Sequence, residues 1–134
     1  MKLLEKKNIK YLIVHCSDTE KSLRASDIHH MHLGFGWDGI GYHKVINSDG
    51  EIEDGRPEYW VGAHVRGLND CSLGVCLIGK SKFNTHQMES LKIILKEWKK
   101  KYPKAKILGH RDSTKTKKTC PNFDVTSWCQ KNLI

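Results

Sequence analysis

An α/β domain with a central mixed β-sheet flanked by helices is what this chain predicts, and three observations carry the prediction. Short apolar, β-branched runs alternate with stretches of helical period, the pattern of strand and helix layers packed on one another. A turn signal, Ser48-Asp49-Gly50, lies between two strand-like runs and puts a hairpin inside that alternation, so the sheet is expected to be mixed. At 134 residues and 38% apolar content the chain can bury one real core, and residues 1–134 are expected to form a single domain.

The elements follow in order. Residues 9–15 are apolar on both faces and run into polar Ser17 and Asp18, which predicts a buried strand with His15 at its C-terminal end. Residues 26–33 read as a short helix that starts near Ala25 or Ser26 and is stopped by Gly34 and Gly36. Residues 41–47 and 51–53 are the expected strands of the hairpin. Residues 72–78, ending at Gly79, are almost wholly apolar and suit the centre of the sheet, where both faces are covered. Helical period is clearest over residues 85–101, where Met88, Leu91, Ile94, Leu95 and Trp98 recur at three- and four-residue steps and lysines take the other side. Asn84 with Gln87 has the form of a capping box, and Tyr102-Pro103 ends the helix. Residues 105–108 then give a strand that delivers His110, and residues 125–133 a short terminal helix.

A formal charge of +8 favours polyanionic surroundings and leaves open which kind. The excess sits in Lys96, Lys99, Lys100, Lys101, Lys104 and Lys106, read as a solvated helix face, and in the loop lysines Lys115, Lys117 and Lys118. No DNA- or RNA-binding motif accompanies the charge, so no nucleic acid is expected as a partner. The N-terminus passes from Lys2, Glu5, Lys6 and Lys7 straight into a strand, so neither a signal peptide nor membrane insertion is expected and the product should be cytoplasmic. Five cysteines without a CxxC pair are then expected as reduced thiols.

Three residues suggest chemistry. His15 ends one apolar run, His110 follows another, and Cys120 lies on the next loop; two imidazoles and a thiolate would leave a tetrahedral zinc one open position, as a hydrolase needs. Taken singly, each is as readily a core histidine or a buried thiol, and only the combination lifts them above that. Cys16, Cys71, Cys76 and Cys129 read as small buried or half-buried thiols. His29, His30 and His32 read as surface residues with one helix-packing histidine among them, and His86 as solvent-exposed. His43 should point to the opposite side of its strand from Tyr42.

The blocks VHCSDT, MHLGFGWDGIGYHKVINSDG, GRP, VGAHVRGLNDCSLGVCLIG, GHRD and KTCPNFDV occur in that order over roughly residues 9–128. By them the chain resembles zinc-dependent N-acetylmuramoyl-L-alanine amidases of the phage-lysozyme type, which are related to peptidoglycan recognition proteins. The resemblance implies cleavage of the amide between the lactyl group of N-acetylmuramic acid and the L-alanine that begins the stem peptide. It places the family's zinc ligands on His15, His110 and Cys120, its catalytic tyrosine on Tyr42 and its catalytic lysine on Lys118. On this likeness Tyr42 orients the attacking water and shares in proton relay, while Lys118 adds to oxyanion stabilisation. VGAHVRGLND resembles the loop that borders the family's substrate groove, so His64 and Asn69, with Trp37, are the expected substrate contacts.

The likeness implies peptidoglycan or muropeptide as substrate and a monomer as the acting species. A phage or prophage endolysin, freed to the wall once a holin opens the membrane, fits Cys120 and the KTCPNFDV block. A cytosolic muropeptide-recycling amidase and a non-catalytic muropeptide-binding module remain as alternatives. So does a regulator, since phage lysozymes of this type also inhibit a phage RNA polymerase, a partnership that maps onto no named residue here. Two departures from the family pattern stand out: Asn122 after Cys-Pro, expected to be harmless, and a longer, more basic loop between His110 and Cys120.

Overall fold

In the computed structural model, which describes residues 2–134, the order is β1 (Tyr11–Cys16), α1 (Ala25–Gly34), β2 (Lys44–Ile46), β3 (Ile52–Asp54), β4 (Ser72–Leu77), α2 (Thr85–Lys101), β5 (Lys106–Gly109), α3 (His110–Ser113) and α4 (Val125–Lys131). The strands lie side by side as β3-β2-β4-β1-β5. β2, β4, β1 and β5 run parallel and only β3 is antiparallel, so the hairpin supplies the edge of a mixed sheet. β4 is the middle strand, and all six of its residues are buried, as its unbroken apolar run requires.

Strand alternation divides the core. Leu12 and Val14 of β1 and Leu73, Val75 and Leu77 of β4 pack with Leu91, Ile94, Leu95 and Trp98 of α2, and Val125 and Cys129 of α4 close the same cluster. Full burial of each large side chain there is worth about 1.5–3 kcal/mol, which is what holds α2 down. Ile13 and His15 of β1, and Ser72, Gly74 and Cys76 of β4, face the other way. Parallel register sets Ile13 beside Gly74 and His15 beside Cys76. The apolar cluster around α1 is smaller, built on Ala25, Ile28, Ile40, Val45 and Ile78. Buried polar side chains, His15 and Ser72 among them, share the rest of that face with Ile13 and Cys76.

The helix ends follow the local code. Asn84 Oδ1 accepts the Gln87 N–H at 2.9 Å and Gln87 Oε1 accepts the Asn84 N–H at 3.3 Å, the expected capping box, and Tyr102 caps the other end. α1 begins where the Arg24 N–H donates to Asp27 Oδ2 at 2.8 Å, and the Arg24 guanidinium ties that end to Glu51 and Asp49 of the hairpin. Among the described residues no helix is long and apolar enough to cross a membrane. All five cysteines are free thiols.

Two expectations need correction. The strand expected over residues 41–47 is only Lys44–Ile46. Of the residues before it, Gly41 and Tyr42 serve the segment beyond β3: the Gly41 carbonyl accepts the Ala63 N–H at 3.0 Å and the Tyr42 carbonyl accepts the Arg56 N–H at 2.8 Å. A Cβ on Gly41 would lie 2.1 Å from the Ala63 carbonyl oxygen, so this approach needs glycine. Tyr42 therefore stands just before the strand. The second correction concerns α1, which uses two packing histidines where one was expected: His29 Nδ1 accepts the Ile40 N–H at 3.0 Å and His32 Nδ1 accepts the Gly41 N–H at 2.9 Å. His30 and His86 are exposed, as expected.

Candidate active site

The C-terminal ends of parallel strands are where an open α/β sheet gathers its functional groups. β1 and β5 are parallel neighbours with Val14 beside Gly109, so the next residue of each strand path, His15 and His110, meet at that edge with ring centroids 4.7 Å apart. Cys120 arrives from the loop between α3 and α4, and its sulfur accepts the Cys16 N–H at 3.0 Å. One ligand atom from each of His15, His110 and Cys120 lies within 4.8 Å of the others.

The environment suits a cation. Burial, followed by His64, His110 and Lys118, holds His15 well below the ordinary histidine value, and burial with Lys118 lowers His110. Both rings are therefore neutral at pH 7, the form that ligates a metal. A hydrogen bond with the Cys16 thiol, then burial, holds Cys120 above the ordinary thiol value, so a bound cation must displace its proton. Two neutral imidazoles and one ionisable thiol in reach of one another form a donor set that fits zinc.

These residues sit at the foot of a groove of about 1040 Å³. Tyr42 lines it with its ring centroid 5.1 Å from that of His15, and burial, then the neighbouring Cys76 and Cys120, raises its phenol well above the ordinary tyrosine value. Lys118 is exposed on the basic loop that forms one wall. Another part of the lining is apolar: Met31, Phe35 and Trp37 of the α1 region are 40%, 61% and 41% exposed, a large apolar lip for a surface otherwise rich in charge.

The three expected substrate contacts occupy different positions. Trp37 stands at the groove lip against His32, with ring centroids 4.7 Å apart. Asn69 borders the groove, but its Oδ1 is committed to the His64 and Val65 N–H groups, each at 2.8 Å. His64 lies under the site with both ring nitrogens engaged, Nδ1 to His15 Nε2 at 2.8 Å and Nε2 to Ser72 Oγ at 3.2 Å. His43, outside the shortened strand, turns to the far side of His64; its Nε2 donates to the Trp60 carbonyl at 2.8 Å and its Nδ1 accepts the Gly74 N–H at 3.1 Å.

Ser72, Gly74 and the Cys16 N–H are the site components that sequence reasoning missed. The available signal was the two-residue period of β4, which puts Ser72 and Gly74 on the site face. Asn122 also does more than expected: it adopts φ 68°, a left-handed conformation asparagine tolerates, and its side-chain amide donates to the Lys80 carbonyl, tying the Cys120 loop to the turn after β4.

Residues 5–123 match the family described as N-acetylmuramoyl-L-alanine amidase. The endolysin of Klebsiella phage KP32 is 37% identical over 133 residues, spanning 92% of this chain and 87% of that one. The endolysin of Escherichia phage T7 is 38% identical over 133 residues with the same coverage of 92% and 87%. The solved structure of the endolysine N-acetylmuramoyl-L-alanine amidase LysCS from Clostridium intestinale superposes with a TM-score of 0.86 at 28% identity, covering 99% of this chain and 88% of that chain.

Proposed function

The chain belongs to the N-acetylmuramoyl-L-alanine amidase family, and from that premise we propose that its groove hydrolyses the amide between the lactyl group of N-acetylmuramic acid and the L-alanine of the stem peptide. The carrying observation is the convergence of His15, His110 and Cys120 within 4.8 Å at the foot of the groove, next to Tyr42. Zinc held by those three side chains supplies, when bound, Lewis acidity and activation of water at neutral pH.

The chain's own groups supply the rest. Amide cleavage needs a proton on the departing nitrogen. Tyr42, kept as a neutral phenol by burial, is a hydrogen-bond donor at neutral pH; it orients water and passes a proton rather than acting as an isolated base. Lys118 brings positive charge to the groove wall, and substrate that displaces water there strengthens its hold on the developing oxyanion. Trp37 offers an aromatic face to the substrate at one wall and the Asn69 side-chain amide borders it at another. The setting is that of an endolysin: made in the cytoplasm, acting as a monomer once the membrane is opened, and drawn to anionic wall polymers by its +8 charge.

The test is zinc stoichiometry on purified protein, together with release of new L-alanine amino termini from peptidoglycan, repeated for Cys120→Ala. One zinc and new amino termini, both lost in the variant, are expected. Zinc without cleavage would turn the assignment toward a recognition module, and absence of zinc uptake would overturn the metal site.

A further inference from the structure

We propose that His64 is a positioning residue for the zinc ligand His15: a directional hydrogen-bond chain running from Leu68 through Ser72 and His64 fixes the His15 ring as its Nε2–H tautomer and leaves the Nδ1 lone pair to the metal. The inference rests on the metal site proposed above and deepens it.

The direction of the chain follows from proton counting. The Leu68 carbonyl oxygen can only accept, and Ser72 Oγ donates to it at 2.7 Å, which uses the hydroxyl's single proton. His64 Nε2, 3.2 Å from that oxygen, must then be the donor to Ser72. A neutral imidazole carries one N–H, so His64 Nδ1 has a lone pair facing His15. His15 Nε2, 2.8 Å away, is the donor to it. The His15 proton is thereby held on Nε2, and Nδ1 is the atom left to join His110 and Cys120. A ligating imidazole whose second nitrogen donates to a fixed acceptor is both oriented and made more basic.

The surroundings hold His64 for this task. Its N–H is bound by Asn69 Oδ1 at 2.8 Å, and its ring stands nearly perpendicular to that of His15, at 81°. The ring lies over Gly74, where a Cβ would come within 2.5 Å of Nδ1, so β4 leaves out a side chain where the ring needs room. With both nitrogens spent inside the protein, His64 has no ring nitrogen to offer a substrate.

Imidazole nitrogen NMR on metal-free protein, with zinc affinity measured by chelator competition, tests the chain. Wild type should show His15 as the Nε2–H tautomer. His64→Gln places a carbonyl oxygen toward His15 and an amide N–H toward Ser72, and should keep both the tautomer and zinc affinity within about fivefold; His64→Leu should lose the fixed tautomer and about 10–100-fold in affinity. Ser72→Ala, which leaves the ring in place, should mix the His15 tautomers even if the leucine variant does not fold. A wild-type His15 protonated at Nδ1, or a folded His64→Leu protein with unchanged zinc affinity, would overturn the proposal. If wild type takes up no zinc, the metal site itself fails, and the tautomer spectrum still decides the hydrogen-bond chain.

Discussion

Gly74→Ala probes how tightly the floor of the site is packed. Gly74 does not occupy a left-handed conformation, so its backbone accepts alanine, and on chain entropy alone the change should stabilise the strand by about 0.5–1 kcal/mol. Space reverses the sign. The new Cβ would lie 2.5 Å from His64 Nδ1 and 2.8 Å from its Cε1 and Cγ, and the ring cannot retreat without giving up its bonds to His15 and Ser72. Overpacking costs about 1–3 kcal/mol and each lost hydrogen bond about 0.5–1.5, for a net destabilisation of about 2–5 kcal/mol. For a chain of 134 residues that is a fall in Tm of about 8–20 °C. The assay is urea or thermal unfolding of metal-free wild type, Gly74→Ala, His64→Ala and the double variant. Once the ring is gone the methyl has room, so Gly74→Ala should cost less than about 1 kcal/mol in the His64→Ala background, a strong favourable coupling. Equal costs in the two backgrounds would refute the packing between Gly74 and His64.

Other expectations concern turnover and stability. Tyr42→Phe and Lys118→Met should each retain zinc and lose about 10²-fold or more in kcat, read as amino termini released from peptidoglycan; turnover at the wild-type rate would remove the residue from the mechanism. Burial above all lowers His15, His43 and His64, so between their depressed folded values and the unfolded value near 6.5 the unfolded chain binds protons that the folded one does not. Stability of the metal-free protein should therefore be complete above about pH 7 and fall as pH drops below about 6.5, by up to about 1.4 kcal/mol per pH unit for each histidine; a flat profile from pH 7 to 5 would contradict their neutral burial. Asn84→Ala removes the α2 cap and its bond to the Ser48 carbonyl, and should cost about 0.5–2 kcal/mol in urea unfolding, with no change at all counting against the capping box.

β1, β4 and α2 were legible because their signals are local. An unbroken apolar run, or an apolar stripe at three- and four-residue steps, means the same thing wherever the chain goes next. The central place of β4 was legible for a related reason, since a strand apolar on both faces must be covered on both. Ordered motifs point to His15, His110, Cys120, Tyr42 and Lys118 as candidates, and the structure brings the first four together at one end of the sheet and puts Lys118 in the lining of the same groove. Gly41 and Tyr42 look like strand in sequence because an extended segment reads alike whether its backbone bonds to a strand or to a loop; the His43 N–H still donates to the Gly74 carbonyl of β4 at 2.9 Å. The chain from Ser72 through His64 to His15 was beyond sequence reading, since it joins positions 8 and 49 residues apart through side-chain atoms that only the packed sheet and loop bring within 2.8–3.2 Å. Residue type and period determined which surfaces would be buried. Tertiary structure alone decided which nitrogen of His15 carries the proton, because that depends on a hydrogen bond with no local origin.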